Sequence, residues 1–143
     1  MSRKETTSVL EVEAAPLAIW ESAYADADSW PRWNAELKSA RLDRPLALGA
    51  TARIVFRTGL RLRFHVTECE AGRLFTDEAR LPGARMGHRH LLEPLPGGGC
   101  RLTNTIYMEG PLAGLWWPIL GPRAVRSLPD AQRAVAEMAT LAG

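Results

Sequence analysis

Two histidines at alternate positions are the residues of this sequence best placed to do chemistry. Met86, His88, His90 and Leu92 recur at every second position, and side chains with that spacing share one face of a β-strand. Two imidazoles side by side can take up and release protons near neutral pH. The pair is therefore a candidate acid/base site, although histidines on a strand also commonly hydrogen-bond to backbone groups or to water.

Further polar side chains have the spacing of apolar residues on neighbouring predicted strands. Glu68 continues the apolar alternation of its strand, which predicts that it faces the interior. Asn104 shares the two-residue period of Ile106 in the same way, and Tyr24, on a preceding helix, could donate its hydroxyl. A mostly apolar interior with a few convergent polar groups is typical of a small-molecule pocket.

Spacing argues against a metal or a cofactor. Two histidines and Glu68 could supply three ligands, but no second pair of histidines or cysteines has the spacing of a metal site. The glycine run at 97–99 joins two predicted strands rather than a strand and a helix, so it is not a phosphate-binding loop. No serine or cysteine stands in a nucleophile elbow. We therefore expect no metal and no cofactor.

The elements that must position these side chains are one strand, two helices, six strands and a long helix. Residues 6–13 read as the first strand, Pro16 opens a helix, and residues 26–33 suggest a shorter one. Between residues 37 and 109, six segments rich in alternating apolar and polar residues are separated by short turns. The helical period returns after residue 111, where Pro118, Pro122 and Pro129 are expected to kink or divide the last helix.

This order predicts a single α+β domain over residues 1–143. A curved antiparallel sheet of about seven strands, in the order β-α-α-β6-α, would grip the long kinked C-terminal helix along its concave face. Because sheet and helices diverge in such a helix-grip arrangement, we expect a ligand cavity between them. The candidate lining residues, besides the two histidines, are Tyr24, Trp33, Phe56, Phe64, Glu68, Met86, Asn104, Ile106, Trp116 and Leu120.

Two adjacent tryptophans near the start of the last helix suggest a second surface. Trp116 and Trp117 cannot both point inward from neighbouring helical positions. One of them is therefore expected to be exposed near the cavity mouth, beside Ile119 and Leu120, as a contact for a partner or a membrane surface.

Composition excludes several classes of protein. The chain has 143 residues, 46% of them hydrophobic and 24% charged, with a net charge of +2, which excludes a disordered or coiled-coil chain and does not favour nucleic acid. The uncharged run at 111–122 is too short to span a bilayer, and the N-terminal residues lack the apolar stretch of a signal peptide. Cys69 and Cys100 are expected to be free thiols. We therefore expect a cytoplasmic protein with no stable membrane insertion.

Five segments carry a resemblance to a known family: residues 16–20 (PLAIW), 30–34 (WPRWN), 45–49 (PLALG), 88–94 (HRHLLEP) and 109–112 (EGPL). From about residue 6 to the C-terminus, the chain resembles the SRPBCC superfamily of helix-grip proteins. That superfamily includes START domains, birch-pollen-allergen-like proteins, polyketide cyclase/dehydrases and CoxG-like proteins. The chain is most similar to short bacterial members of the polyketide cyclase/dehydrase type. His90 departs from their pattern, since they usually carry an apolar residue there.

The resemblance implies three alternative functions. The first is the binding of a small hydrophobic ligand, ring-containing or acyl, in an internal cavity between the sheet and the C-terminal helix. The second is a polyketide-type cyclase or dehydratase in which His88 and His90 act as acid/base groups while Asn104 and Tyr24 orient the substrate. The third is a CoxG-like membrane-surface or partner-binding module that uses residues 116–120. The sequence leaves the ligand and the oligomeric state open.

Overall fold

A computed structural model describes residues 2–142 of the chain. Within this range the strands are β1 (Ser2–Val12), β2 (Leu37–Leu42), β3 (Thr51–Phe56), β4 (Arg61–Glu70), β5 (Leu74–Leu81), β6 (Ala84–Pro94) and β7 (Cys100–Gly110). The α-helices are α1 (Pro16–Ile19), α2 (Trp30–Trp33) and α3 (Ala113–Ala142). The first two helices lie between β1 and β2, and α3 follows β7.

The seven strands form one antiparallel sheet in the spatial order β1-β7-β6-β5-β4-β3-β2. From β2 to β7 each strand pairs with the next one along the chain, and β1 pairs with β7, with Ser8 opposite Asn104. The predicted α+β helix-grip fold is confirmed.

Short helical segments connect β1 to β2. Pro16 occupies the first helical position of α1, where a proline loses no hydrogen bond. A π-helical turn, Trp20–Tyr24, continues α1. Ahead of α2, the side chain of Asp26 caps the 3₁₀ turn Ala27–Ser29 by accepting a hydrogen bond from the N–H of Asp28. This connection sets the four-residue helix α2, and with it the tryptophans at its two ends, against the sheet.

The helix α3 is a single element of 30 residues, so of the two effects predicted for its prolines, a kink or a division, the structure excludes the division. Pro118, Pro122 and Pro129 are all exposed, on the side where carbonyl groups that lose their partners can turn to water. The contacts of α3 with the sheet are concentrated on β1, β7 and β6. Over the remaining strands the helix and the sheet therefore diverge.

A β-bulge in β4 changes which of its side chains face the helix. The pairing of β4 with β5 shifts between Val66 and Glu68, so an additional residue stands in β4 at this point. Glu68 consequently lies on the outer face, where its carboxylate accepts hydrogen bonds from Thr76 and Arg89. The prediction that Glu68 faces the interior is wrong, because the two-residue period is interrupted just before it.

Two further expectations concern thiols and membrane spans. Cys69 and Cys100 are free thiols, as predicted. In the part of the chain that the structure describes, no helix combines the length and the apolar character that crossing a membrane requires.

Candidate functional site

A cavity of about 140 Å³ lies where α3 diverges from the sheet. Side chains from α2, from the inner face of the sheet and from α3 form its wall, and most of them are apolar or aromatic. A cavity of about 150 Å³ is enough to hold benzene. The predicted residues that line it are Trp33, Phe56, Phe64, Met86, His88, His90, Ile106 and Leu120.

The lining residues that are exposed to solvent mark the mouth of the cavity. Leu60, from the turn between β3 and β4, is 40% exposed, and Ile119 of α3 is 61% exposed. The guanidinium of Arg123 on α3 lies 4.0 Å from the carboxylate of Glu36 beside the same opening. The mouth therefore has apolar side chains on two sides and an ion pair, Arg123–Glu36, beside them.

Three stacked rings form part of the cavity wall along β5 and β6. The ring centroids of Phe75 and His90 are 3.9 Å apart with an interplanar angle of 8°. Those of His90 and His88 are 3.7 Å apart with an angle of 24°. The strand register explains the column, since it places Phe75 opposite His90 and Asp77 opposite His88. His90 thus lies between two rings, whereas His88 ends the column beside Asp77.

Burial keeps both imidazoles neutral. It lowers the pKa of His88 to about 3. Burial, and in addition the neighbouring His88, lowers the pKa of His90 well below its ordinary value. The Nδ1 atom of His90 lies 3.2 Å from the carbonyl oxygen of Phe75, which can only accept, so this nitrogen carries the proton of the ring.

A chain of hydrogen bonds from α3 determines which nitrogen of His88 is protonated. The Nε2 atom of Gln132 lies 2.8 and 3.3 Å from the carbonyl oxygens of Ser8 and Leu102, so the NH₂ group must face them. It also donates to Oδ1 of Asn104 at 2.9 Å. This leaves Nδ2 of Asn104 to donate to Nε2 of His88 at 3.1 Å. The proton of neutral His88 is therefore on Nδ1.

Asp77 is a buried acid in the cavity wall that is not among the site residues predicted from the sequence. It is 7% exposed, and its Oδ1 has no hydrogen-bond partner among residues 2–142. Burial, and to a smaller extent the nearby Glu78, raises the pKa of its carboxyl to about 7. A sequence signal existed: Phe75, Asp77 and Ala79 alternate, which places the acid on the face of two apolar side chains.

The two tryptophans of α2 both line the cavity but differ in their hydrogen bonds. The indole nitrogen of Trp30 donates to the carbonyl oxygen of Tyr24 at 3.0 Å. The indole nitrogen of Trp33 is buried and has no partner in the described part of the chain. Of the two N–H groups that face this region, only that of Trp30 is therefore satisfied by the protein.

Tyr24 and Asn104, which were predicted to line the cavity, lie outside its wall. Tyr24 is 1% exposed and packs edge-on against the rings of Phe75 and His90. Burial raises the pKa of its hydroxyl above the ordinary value. Asn104 stands behind His88, to which it donates. The π-helical turn directs Tyr24 into the aromatic core, and the hydrogen bond to Gln132 holds Asn104 under α3.

The predicted roles of Trp116 and Trp117 are also corrected. Trp116 does not line the cavity, since its indole nitrogen donates to the carbonyl oxygen of Pro82 at 2.8 Å, at the turn between β5 and β6. Both tryptophans are half-buried against the core, so neither is exposed at the mouth. The exposed large apolar side chains here are Leu115 and Ile119 of α3 and Leu112, in the turn just before the helix.

Among residues 2–142, no three histidine, cysteine, aspartate or glutamate side chains are grouped so that they could hold a metal ion. Asp77 and His88 are adjacent acid/base groups, but the pair alone does not make a metal site.

Known proteins resemble this chain in sequence and in fold. A model of the family described as "Polyketide cyclase / dehydrase and lipid transport" matches residues 3–142. A search of curated proteins finds no significant match to the sequence.

Solved structures share the fold at low sequence identity. Norcoclaurine synthase from Thalictrum flavum, a point mutant bound to a transition state analogue, has a TM-score of 0.75 and 14% identity, over 97% of this chain and 95% of the other. A START superfamily protein from Mycobacterium smegmatis has a TM-score of 0.73 and 17% identity, over 97% and 99%. Ara h 8.0201 has a TM-score of 0.65 and 9% identity, over 96% of this chain and 95% of the other.

Proposed function

The chain belongs to the polyketide cyclase / dehydrase and lipid transport family, which is of the SRPBCC type, and we propose that it encloses a small, largely apolar molecule that contains one ring. The observation that carries this proposal is the cavity between the sheet and α3, with its aromatic wall and its mouth at Leu60 and Ile119. An apolar molecule that enters such a space leaves water, which supplies most of the binding free energy.

The volume of the cavity limits the size of the ligand. About 140 Å³ is close to the space that holds one benzene molecule. A molecule with several fused rings needs more room, which would require Leu60 and Ile119 to move apart at the mouth. The favoured ligand is therefore a single ring with short substituents.

Native mass spectrometry tests the proposal without knowledge of the ligand. The freshly purified protein is compared with the denatured protein, and a bound mass on the order of one or two hundred daltons that is lost on denaturation is expected. Ala131→Phe fills the cavity from α3, since Ala131 lines it, and should abolish both this mass and the binding of added benzene.

Ala136→Phe is the matched control, because Ala136 is half-buried on the same helix and lies outside the cavity wall. This variant should bind benzene as the unmodified protein does. If Ala131→Phe folds and still binds benzene with unchanged affinity, the cavity is not the binding site.

Acid–base catalysis is a second candidate function, and the adjacency of Asp77 and His88 favours it. A carboxyl with a pKa of about 7 suits a general base near neutral pH. It could take a proton from a carbon of the substrate while Nδ1–H of His88 hydrogen-bonds the oxygen that gains negative charge. For a cyclase or dehydratase of this kind, Asp77→Asn should abolish turnover, replacing His88 and His90 with glutamine should lower it strongly, and both variants should still bind benzene. Unchanged turnover in the histidine variant would exclude these histidines, and unchanged turnover in Asp77→Asn would exclude the acid.

A membrane-surface function is supported only by the exposed side chains of Leu112, Leu115 and Ile119, which are 41%, 60% and 61% exposed. Sedimentation with liposomes tests it, and the absence of lipid-dependent binding would exclude it. The two free thiols support a reducing, cytoplasmic location.

A further inference from the structure

The pair formed by Asp77 and His88 indicates the polar group of the ligand. The two residues are direct partners across β5 and β6, and both line the cavity. Residues directly opposite each other on one face of an antiparallel pair have Cβ atoms roughly 4.5–5.5 Å apart. One small polar group of a ligand can therefore contact both side chains at once.

Each side chain offers a defined hydrogen bond. Because Nε2 of His88 accepts from Asn104, the ring has only Nδ1–H left, and this nitrogen makes no hydrogen bond to the described residues. Asp77 offers an oxygen to which no described residue donates. The wall thus presents one fixed donor beside one carboxyl acceptor, in an apolar space where unmet hydrogen bonds are costly.

On the premise of the proposed function, we propose that the ligand is a neutral single-ring molecule with a hydroxyl group, and that this hydroxyl is held between Asp77 and His88. The hydroxyl donates to the carboxyl of Asp77 and accepts from Nδ1–H of His88. Among common polar groups, a hydroxyl both donates and accepts through a single oxygen.

Charged groups fit this pair less well. An ammonium group only donates, so it would leave Nδ1–H of His88 without an acceptor, and its charge would have to be buried. A carboxylate would face the carboxyl of Asp77. Arg123 could pair with a carboxylate, but it lies at the mouth of the cavity beside Glu36.

Calorimetric titration with four one-ring probes tests the inference: benzene, phenol, benzylamine and benzoate, with benzaldehyde as a carbonyl control. We expect phenol to bind about tenfold more tightly than benzene, the effect of one or two good hydrogen bonds. Benzaldehyde, benzylamine and benzoate should bind more weakly than phenol.

Asp77→Leu and His88→Phe should each bring the affinity for phenol down to that for benzene, while benzene still binds. His65→Phe is the matched control, because His65 lies on the outer face of β4 and hydrogen-bonds Thr51. It should keep the preference for phenol. Retained binding of benzene also reports that each variant has folded.

The outcomes separate this inference from the function on which it rests. If benzene binds and phenol has no advantage, or if the advantage survives both substitutions, the hydroxyl inference is overturned and the cavity remains a ring-binding site. Tighter binding of benzylamine, benzoate or benzaldehyde than of phenol overturns it as well. If none of the probes binds, the proposed function itself is contradicted.

Discussion

The interior of the protein contains two sets of buried polar side chains that differ in how their hydrogen bonds are met. The paired set, which consists of the buried Asn104 and Gln132 and the half-buried Ser8, lies where α3 packs on β1 and β7, and its members hydrogen-bond to one another and to the backbone. The unpaired set, Trp33 and Asp77, lies in the cavity wall, and each member has a buried atom without a hydrogen-bond partner among residues 2–142.

The difference separates polar groups that hold the fold from polar groups that the fold leaves for another molecule. A buried polar atom without a partner costs free energy of about 1–3 kcal/mol. A chain gains nothing in stability by keeping such atoms, whereas a ligand that completes their hydrogen bonds recovers that cost on binding. His88 connects the two sets, because one of its nitrogens accepts from Asn104 and the ring also lines the cavity.

The largest expected effect comes from breaking the paired set. Gln132→Leu keeps a similar volume but leaves the carbonyl oxygens of Ser8 and Leu102 and the amide of Asn104 without their donor. Two or three unmet buried groups should lower the free energy of unfolding by about 4 kcal/mol, measured by urea denaturation. Glu137→Leu, at an exposed position of the same helix, should change it by less than about 0.5 kcal/mol. Equal effects would contradict the distinction.

The next effect concerns the pH dependence that Asp77 contributes. Its folded pKa of about 7 lies above the ordinary value for an aspartate, so the folded chain keeps a proton that the unfolded chain releases. Its contribution to stability therefore falls as pH rises from about 4 to 7 and is constant above that range. His88, whose pKa is lowered to about 3, acts in the opposite direction below about pH 6.5.

Asp77→Asn isolates the contribution of the acid, because His88 is present in both proteins and cancels from the difference. Relative to the unmodified chain, the variant should gain about 2.5 kcal/mol of stability between pH 5 and pH 8. Urea denaturation at both pH values measures this change. Stability profiles that run parallel for the two proteins would mean that the folded carboxyl titrates at its ordinary pKa.

The smallest effect compares the two tryptophans of α2. Trp30→Phe removes a hydrogen bond to the carbonyl oxygen of Tyr24, whereas Trp33→Phe removes an N–H group that has no partner in the part of the chain that the structure describes. Both changes replace an indole with a phenyl ring. Trp30→Phe should therefore lower the free energy of unfolding by about 1 kcal/mol more than Trp33→Phe. A larger loss for Trp33→Phe would indicate that its indole nitrogen has a partner in solution.

The sequence allowed the fold to be predicted, because alternation at period two and the return of the helical period are local signals. It predicted the inner face of β6, including His88 and His90, for the same reason. The prediction failed for Glu68 because the bulge in β4 depends on pairing with β5, which no local pattern reports. Asp77 was missed although it alternates with Phe75 and Ala79, since an acid in a strand is usually exposed.

Other parts of the site depend on tertiary packing. Nothing in the spacing of the last strand indicates that Asn104 would stand behind His88, because that position is set by Gln132 more than 25 residues along the chain. The buried position of Tyr24 follows from the π-helical turn before α2. Trp116 is held by a carbonyl group at the far turn of the sheet.

The most direct test of the central claim observes the indole N–H groups themselves. A ¹H–¹⁵N correlation spectrum resolves the indole signals of the five tryptophans, and phenol is added in steps. We predict that the signal of Trp33, in the cavity wall, shifts and saturates with the calorimetric affinity, while that of Trp116, bonded to Pro82 outside the cavity, does not move. A saturated protein in which Trp33 is unmoved, or in which both signals shift equally, would contradict the claim that the cavity is the ligand site.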